Sequence, residues 1–338
     1  MRWGLLSTAR INDRIIAAAG ESDRATIVAV GSRDAARAAD YARAKGIPRA
    51  HGTYEALLDD PGVDAVYISL PNGLHHAWSV KALAAGKHVL CEKPYSRRPV
   101  DVEEAYALAA AGGRILMEAF MYRHHPQIQR VVDLVRGGAI GRLRAVTSTF
   151  TFLLRNPGDA RLRPELDGGA LMDVGCYCVN GTRALAGEPE HVLGEQVTGP
   201  GGVDMGFFGT MRHAGDVVSQ FETSFTAPKR QRLHAVGEDG VLTVDAPWRA
   251  DWGGTVTITR GEAVEIVPIP PANPYRLELD NMADAVAGVA PPLLGYADAI
   301  GQARTLEALY VSAATLTAEP VWPQTRAVDR SSAPRGSP

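Results

Sequence analysis

The 338-residue chain is poor in cysteine: Cys91, Cys176 and Cys178 are all it has. An odd, sparse set excludes a disulfide framework and points to a reducing compartment. The pair Cys176-x-Cys178 has no matching partner pair, and a structural zinc site takes about four ligands, so no metal is expected. An excess of either charge is also missing, since 35 Lys+Arg stand against 38 Asp+Glu for a formal net charge of −3. That balance excludes the electrostatic footprint of a nucleic-acid or membrane-surface binder, and 7% aromatic residues give no stacking platform. No apolar run approaches the roughly 18 residues of a membrane span. Arg10, Asn12 and Asp13 interrupt any signal-peptide core. A cytoplasmic location is therefore the expectation. Apolar residues are plentiful at 46%, enough to fill the core of one large or two ordinary domains.

Along the chain the rhythm changes once. "RWGLL" opens as a strand, 11–19 follows as a helix, and "ATIVAV" (25–30) is a β-branched run that ends at Gly31 as a buried strand. The Ala/Arg stretch 34–46 reads as a helix with Asp34 as N-cap and Gly46 as its stop. Strands at 64–70, 87–93 and 114–120 then alternate with helices at 73–86 and 100–113. This order implies βαβ units in a doubly wound parallel sheet, covered on both faces. Beyond residue 120, helices are expected at 125–138, 171–186, 275–289 and 298–318. A long strand is expected at 143–154, and 190–270 is mostly strands joined by Gly-containing turns. This is an α+β unit with an open, mostly antiparallel sheet. The expected division is 1–120 for nucleotide binding, 121–320 for substrate binding and oligomerisation, and 321–338 as a mobile Pro/Ser/Arg-rich tail. The open sheet face needs cover, so a homodimer or homotetramer through the C-terminal sheet is expected.

A dinucleotide turn ordinarily carries three small residues spaced G-x-G-x-x-G. After the first strand of this chain those positions hold Ser7, Ala9 and Asn12, none of them glycine. On that turn alone the dinucleotide reading is evenly balanced. The second strand tips it. Its end, "VGSRD", puts Ser32 and Arg33 where the adenosine ribose would lie, with Arg37 a helical turn further on. A hydroxyl and a guanidinium suit a 2′-phosphate, whose oxygens match the planar fork of arginine. NADP(H) is therefore expected over NAD(H). The competing reading of Arg33 is a solvated arginine at a helix start. Asp34 could serve as the acidic ribose partner of an NAD site, but its place just before a helix makes capping its role.

The stretches "SLPNGLHH" (69–76) and "LCEKPYS" (90–96) close the next two strands at the carboxyl edge, where ligands bind in such sheets. Leu70, Pro71, Asn72, His75, Glu92, Lys93 and Pro94 are thus candidate cofactor contacts. The adjacent pairs His75–His76 and His124–His125 point in different directions on a helix, which excludes a shared metal.

With "GKHVLCEKP", the motifs "DAVYISLPNGLHH", "EAFMYRHHPQ", "GAIGRLRAV" and "GGALMDVGCYCVN" together resemble the glucose–fructose oxidoreductase / inositol dehydrogenase / MocA family. The likeness is nearest to its branch of NADP-dependent xylose (pyranose) dehydrogenases and dimeric dihydrodiol dehydrogenases. The resemblance implies an N-terminal Rossmann domain and a C-terminal α+β domain with an open sheet. It implies that Lys93 is catalytic and that Gly168 to Tyr177 is the second-domain motif, with Asp173 and Tyr177 on one helix face. Many relatives carry histidine where this chain has Tyr177, which argues against an inositol-type substrate. Tyr177 would exchange the substrate hydroxyl proton, and Lys93 would lower its pKa from the ordinary value of about 10. Asp173 would orient sugar hydroxyls, and Arg123 would reach the same substrate. Tyr275 resembles a family tyrosine that approaches the nicotinamide. Ser7, Thr8, Ala9, Arg10 and Ile11 form the turn, with Thr8 and Arg10 adding contacts to the phosphates. Arg161 and Arg163 lie in a long polar loop facing the cleft. The expected function is NADP(H)-dependent hydride transfer at a secondary hydroxyl or carbonyl of a sugar or cyclic polyol. The alternatives are a trans-dihydrodiol dehydrogenase and a non-catalytic NADP-binding regulator.

Overall fold

The computed structural model describes residues 1–249 and 255–322. Its first sheet contains β1 (Arg2–Leu6), β2 (Thr26–Gly31), β3 (Arg49–His51), β4 (Ala65–Ile68), β5 (His88–Glu92) and β6 (Leu116–Ala119). They lie in the order β3-β2-β1-β4-β5-β6, and every pair is parallel. The strand order reverses between β1 and β4, which places a ligand crevice above their carboxyl ends. All four residues of β4 are buried, as a strand covered on both faces requires. The connecting helices are α1 (Asn12–Gly20), α2 (Ala35–Lys45), α3 (Tyr54–Leu58), α4 (His75–Ala84) and α5 (Pro99–Ala111). Asp34 caps α2, its carboxylate accepting from Arg37 N–H at 2.9 Å, and Gly46 stops the helix at φ 66°. The sequence pattern offers no element for 49–58, because β3 and α3 are too short to show a period.

The helix α6 (Pro126–Arg136) leads to the second sheet. Its strands are β7 (Leu143–Thr151), β8 (Pro189–Thr198), β9 (Asp204–His213), β10 (Val217–Ser224), β11 (Arg230–Gly237), β12 (Val241–Asp245), β13 (Val256–Arg260), β14 (Ala263–Val267) and β15 (Glu319–Pro320). They are ordered β14-β13-β12-β11-β7-β10-β9-β8-β15. Neighbours run antiparallel except β7 and β10, which pair in parallel from Val218↔Ala145 to Ser224↔Thr151. A long crossover joins these two strands, and a hairpin could not have made that pair. The crossover includes α7 (Cys176–Ala186), which packs on β7 and β10. After α8 (Pro274–Val286), α9 (Tyr296–Thr315) covers β8 on one side and meets α5 on the other. Ala299, Ile300 and Ala303 of α9 share an apolar cluster with Val102 and Ala105 of α5, which fastens the two sheets together. The ion pair Arg304–Glu103 (3.2 Å) spans the same seam, and Arg24–Asp284 (2.5 Å) joins the two halves separately where α8 meets α1. Residues 323–338 of the expected mobile tail lie outside the described residues; of the rest, Val321 is buried and Trp322 lies under the Arg304 guanidinium.

Candidate functional site

The turn after β1 departs from a glycine turn in sequence but not in shape. Ser7 sits at φ 149°, a conformation that side-chain-bearing residues rarely adopt. Its neighbours hold it there. Ser7 Oγ accepts from Ala9 N–H at 3.1 Å and lies 2.7 Å from Ser69 Oγ. The Asn12 amide donates to Ser7 O (2.8 Å), and its Oδ1 accepts from Ser69 Oγ (2.7 Å). Asn12, at the third glycine position, is completely buried. It stitches turn, helix start and β4 end together where glycine would only have made room. No side chain caps the first turn of α1, and Ala9, Arg10 and Ile11 line the cavity in front of it. A helix N-terminus presented in this way suits a pyrophosphate.

The cavity holds about 660 Å³ and runs from this turn across Leu70, Pro71, Asn72 and His75 to the second sheet. Glu92 and Lys93 enter it from the end of β5, where the Lys93–Pro94 peptide is cis. Asp173 and Tyr177 enter from the opposite wall. Here the backbone is not a regular helix. Residues Leu171–Gly175 form a π-turn that runs into α7, so a four-residue spacing does not by itself set the shared face. The Lys93 ammonium donates to the main-chain O of Asp173 at 2.7 Å and lies 3.5 Å from its Oδ1. Arg161 Nε binds the other carboxylate oxygen at 2.7 Å. Burial opposes the charge of Lys93, but Cys176, Asp173 and Glu92 outweigh it and raise its pKa. Glu92 moves up through burial, although Lys93 and the Tyr67 hydroxyl, which donates to its Oε1, favour the carboxylate.

One expectation is corrected. The Tyr177 pKa is not lowered overall: burial pushes that phenol well above 10, with Glu92 and Tyr275 adding to the rise, and the nearby Lys93 ammonium does not reverse it. The ammonium lies over the ring, 4.8 Å from its centroid, and the hydroxyl turns to Met121 Sδ at 3.9 Å. Tyr177 is therefore a phenol, held by ring contacts with Phe120, Tyr122, Phe150 and Trp248.

Tyr275 lines the cavity as the sequence suggested, and so does Arg161. Arg123 does not: its guanidinium is spent on Asn180 Oδ1 (3.0 Å) and Asp298 Oδ1 (3.2 Å), beneath α9. Arg163 pairs with Glu165 at 2.7 Å, also away from the lining. Ser32, Arg33 and Arg37 lie at the end of β2 and the start of α2, outside the cavity lining, with Ser32 buried and both arginines exposed. His75 is buried, with its two ring nitrogens at Pro94 O (2.9 Å) and Leu70 O (2.8 Å), and burial takes it down to about 4. His76 points elsewhere, to Glu104 (3.3 Å) and the Tyr95 hydroxyl (3.2 Å). The sequence reading missed Phe150 and Phe152, Lys229 and Arg249 in the lining. The alternation in "TFTF" was the available signal for the two phenylalanines.

Two family models match the chain: an oxidoreductase family with an NAD-binding Rossmann fold over residues 1–120, and the GFO/IDH/MocA C-terminal domain over 128–243. D-xylose 1-dehydrogenase (NADP(+)) 2 of Haloferax volcanii is 36% identical, over 93% of this chain and 98% of its own. Human trans-1,2-dihydrobenzene-1,2-diol dehydrogenase is 33% identical, over 83% and 84%. The crystal structure of KijD10, a 3-ketoreductase from Actinomadura kijaniata in complex with NADP and TDP-benzene, superposes with a TM-score of 0.87 at 29% identity. That match covers 92% of this chain and 97% of KijD10.

Proposed function

Because the chain belongs to the GFO/IDH/MocA oxidoreductase family, we propose that it is an NADP(H)-dependent enzyme transferring hydride at a secondary hydroxyl or carbonyl of a sugar or related cyclic polyol. Residues 1–120 hold the dinucleotide in this reading and 121–320 the substrate. The observation that carries it is the meeting of Lys93, Asp173 and Tyr177 in one cavity that opens onto the β1 turn.

The uncapped start of α1 and the stitched turn fit a dinucleotide. Ser7 to Ile11 face its pyrophosphate; Ser32 and Arg33 meet the 2′-phosphate, with Arg37 adding charge. Leu70, Pro71, Asn72, His75 and Tyr275 flank the nicotinamide end. Bound there, the dinucleotide supplies or accepts the hydride. The chain's own residues manage the proton and the orientation. Tyr177, a phenol at neutral pH, gives its proton to the substrate oxygen as reduction builds charge there and regains one from solvent; in oxidation it must first lose that proton to solvent before its phenolate accepts the substrate hydroxyl proton. The Lys93 ammonium stabilises that developing negative charge. Asp173, fixed by Arg161 and Lys93, accepts hydrogen bonds from neighbouring substrate hydroxyls. A second copy covers the open sheet face, where Leu193, Val197 and Phe208 are exposed. A cytoplasmic location rests on the three buried free cysteines.

The test is absorbance at the nicotinamide band with NADP⁺ and NAD⁺ in parallel, against a panel of pyranoses, polyols and a trans-dihydrodiol. Pyranose oxidation with NADP⁺ supports the reading, and turnover of the dihydrodiol alone sinks the sugar assignment. Lys93→Met and Tyr177→Phe are expected to lose at least about a hundredfold in single-turnover hydride transfer. Reduction is expected to show no Tyr177 ionisation below pH 9. A break near neutrality that disappears in Tyr177→Phe would restore the phenolate role.

A further inference from the structure

Behind the cavity wall lies a buried carboxylate that takes no part in the chemistry above. Asp204 opens β9 and is 3% exposed. Its Oδ2 accepts the Leu171 N–H at 2.7 Å, and its Oδ1 accepts the Tyr310 hydroxyl, from α9, at 2.9 Å. Leu171 is the first residue of the π-turn, whose leading N–H groups lack partners within the turn itself. The carboxylate therefore acts as a cap delivered from another strand. Two residues later comes Asp173, whose own N–H bonds Gly169 O at 3.0 Å. Gly169 is at φ 121°, and a Cβ there would overlap Asp204 Oδ1 and approach the Tyr310 hydroxyl to 3.2 Å. The glycine is needed because the clamp closes on the backbone itself.

The other side of the clamp returns to the nucleotide half. The Arg97 guanidinium stacks on the Tyr310 ring at 4.8 Å and pairs with Asp167 at 3.2 Å. Arg97 stands four residues beyond Lys93, whose ammonium closes the circuit on Asp173 O. Contacts thus run in a ring from Lys93 along the chain to Arg97, then through Tyr310, Asp204 and Leu171 to Asp173, and back to Lys93.

We propose that Asp204 and Tyr310 are positioning residues for the reaction: they clamp the head of the π-turn so that Asp173 is presented to Lys93 and Arg161 in one fixed geometry. Neither residue lines the cavity, so both act through Asp173. The inference rests on the reading of Lys93, Asp173 and Tyr177 as the reacting cluster. Burial pushes the Asp204 carboxyl up to about 6, so assays at pH 8 keep it ionised.

Tyr310→Phe removes one hydroxyl and keeps the ring under Arg97; Asp204→Asn keeps the shape and removes the charge. Steady-state kinetics of the full-length protein at pH 8, with the sugar found active, should show kcat lowered about tenfold in each, with KM for NADP⁺ within twofold of wild type. Combined with Asp173→Asn, Tyr310→Phe should add less than a twofold further loss, because both act on one group. A kcat within twofold of wild type in Tyr310→Phe overturns the clamp. So does a full multiplicative loss in the double variant, which would mark a merely loosened fold. If Asp204→Asn does not fold, Tyr310→Phe and its double variant still decide. Lys93→Met is measured alongside: its inactivity confirms the reacting cluster under which the clamp is judged. Its full activity would remove that cluster, and the clamp's purpose with it.

Discussion

Two turns face each other across the cavity, and they use glycine in opposite ways. After β1, the backbone at Ser7 takes a glycine-like φ without a glycine, and Ser7, Asn12 and Ser69 tie the turn with four short hydrogen bonds. At the π-turn, Gly169 is a real glycine at φ 121°, pressed by Asp204 and Tyr310. The first turn can carry side chains because the space beside it is filled by its own polar groups. The second cannot, because the neighbour is a carboxylate bonded to the backbone two residues away. A glycine is thus explained by what stands against it, and its absence by what replaces it.

Gly169→Ala is the strongest way to break this comparison. The positive φ alone costs on the order of 1–3 kcal/mol, and displacing Asp204 strips the cap from the π-turn. We expect thermal unfolding to shift down by several degrees and turnover to fall more than a hundredfold. A variant with wild-type melting and turnover would show that the π-turn needs no glycine. Asn12→Ala comes next. It removes the stitch and leaves Ser7 O and Ser69 Oγ each short of a partner, a loss of roughly 2–3 kcal/mol in urea unfolding. NADPH affinity by fluorescence titration should fall with it. Unchanged stability and affinity would mean that the turn holds itself.

The same contrast explains how much could be read in advance. The parallel sheet was legible because long apolar strands and capped helices leave a period; Asp34 and Gly46 ended α2 where their chemistry says they should. Lys93 and Tyr177 were legible through their motifs, although not the environment that decides their protonation. A spacing shows which residues are near in sequence, but the rise in the Tyr177 pKa comes from burial and from Glu92 and Tyr275, both far away along the chain. Arg123 looked like a substrate ligand from its place beside "HHP", yet Asp298 and Asn180, more than fifty residues distant, claim it. The π-turn had no signal, since its cap, Asp204, arrives from another strand. The β7–β10 parallel pair was hidden for a similar reason: pairing across a long crossover leaves no mark in either strand.

Two smaller predictions sharpen the contrast at the nucleotide end. Arg33→Ala should weaken NADPH about tenfold while leaving NADH within about twofold, since only NADPH carries the phosphate that the guanidinium would pair with. Equal weakening of both, read by titration, would return Arg33 to the role of a solvated helix-start arginine. The smallest effect is expected where intuition from glycine motifs suggests the largest. Ser7→Gly relieves a conformation that costs on the order of 1–2 kcal/mol, but it also deletes the Oγ contacts to Ala9 N–H and Ser69. Those contacts contribute about 1 kcal/mol each, so the two terms nearly cancel and stability should stay within about 1 kcal/mol of wild type. If Ser7→Gly instead gained 2 kcal/mol or more in urea unfolding, the serine would be a strained substitute for glycine, and its hydrogen bonds would contribute little to the turn.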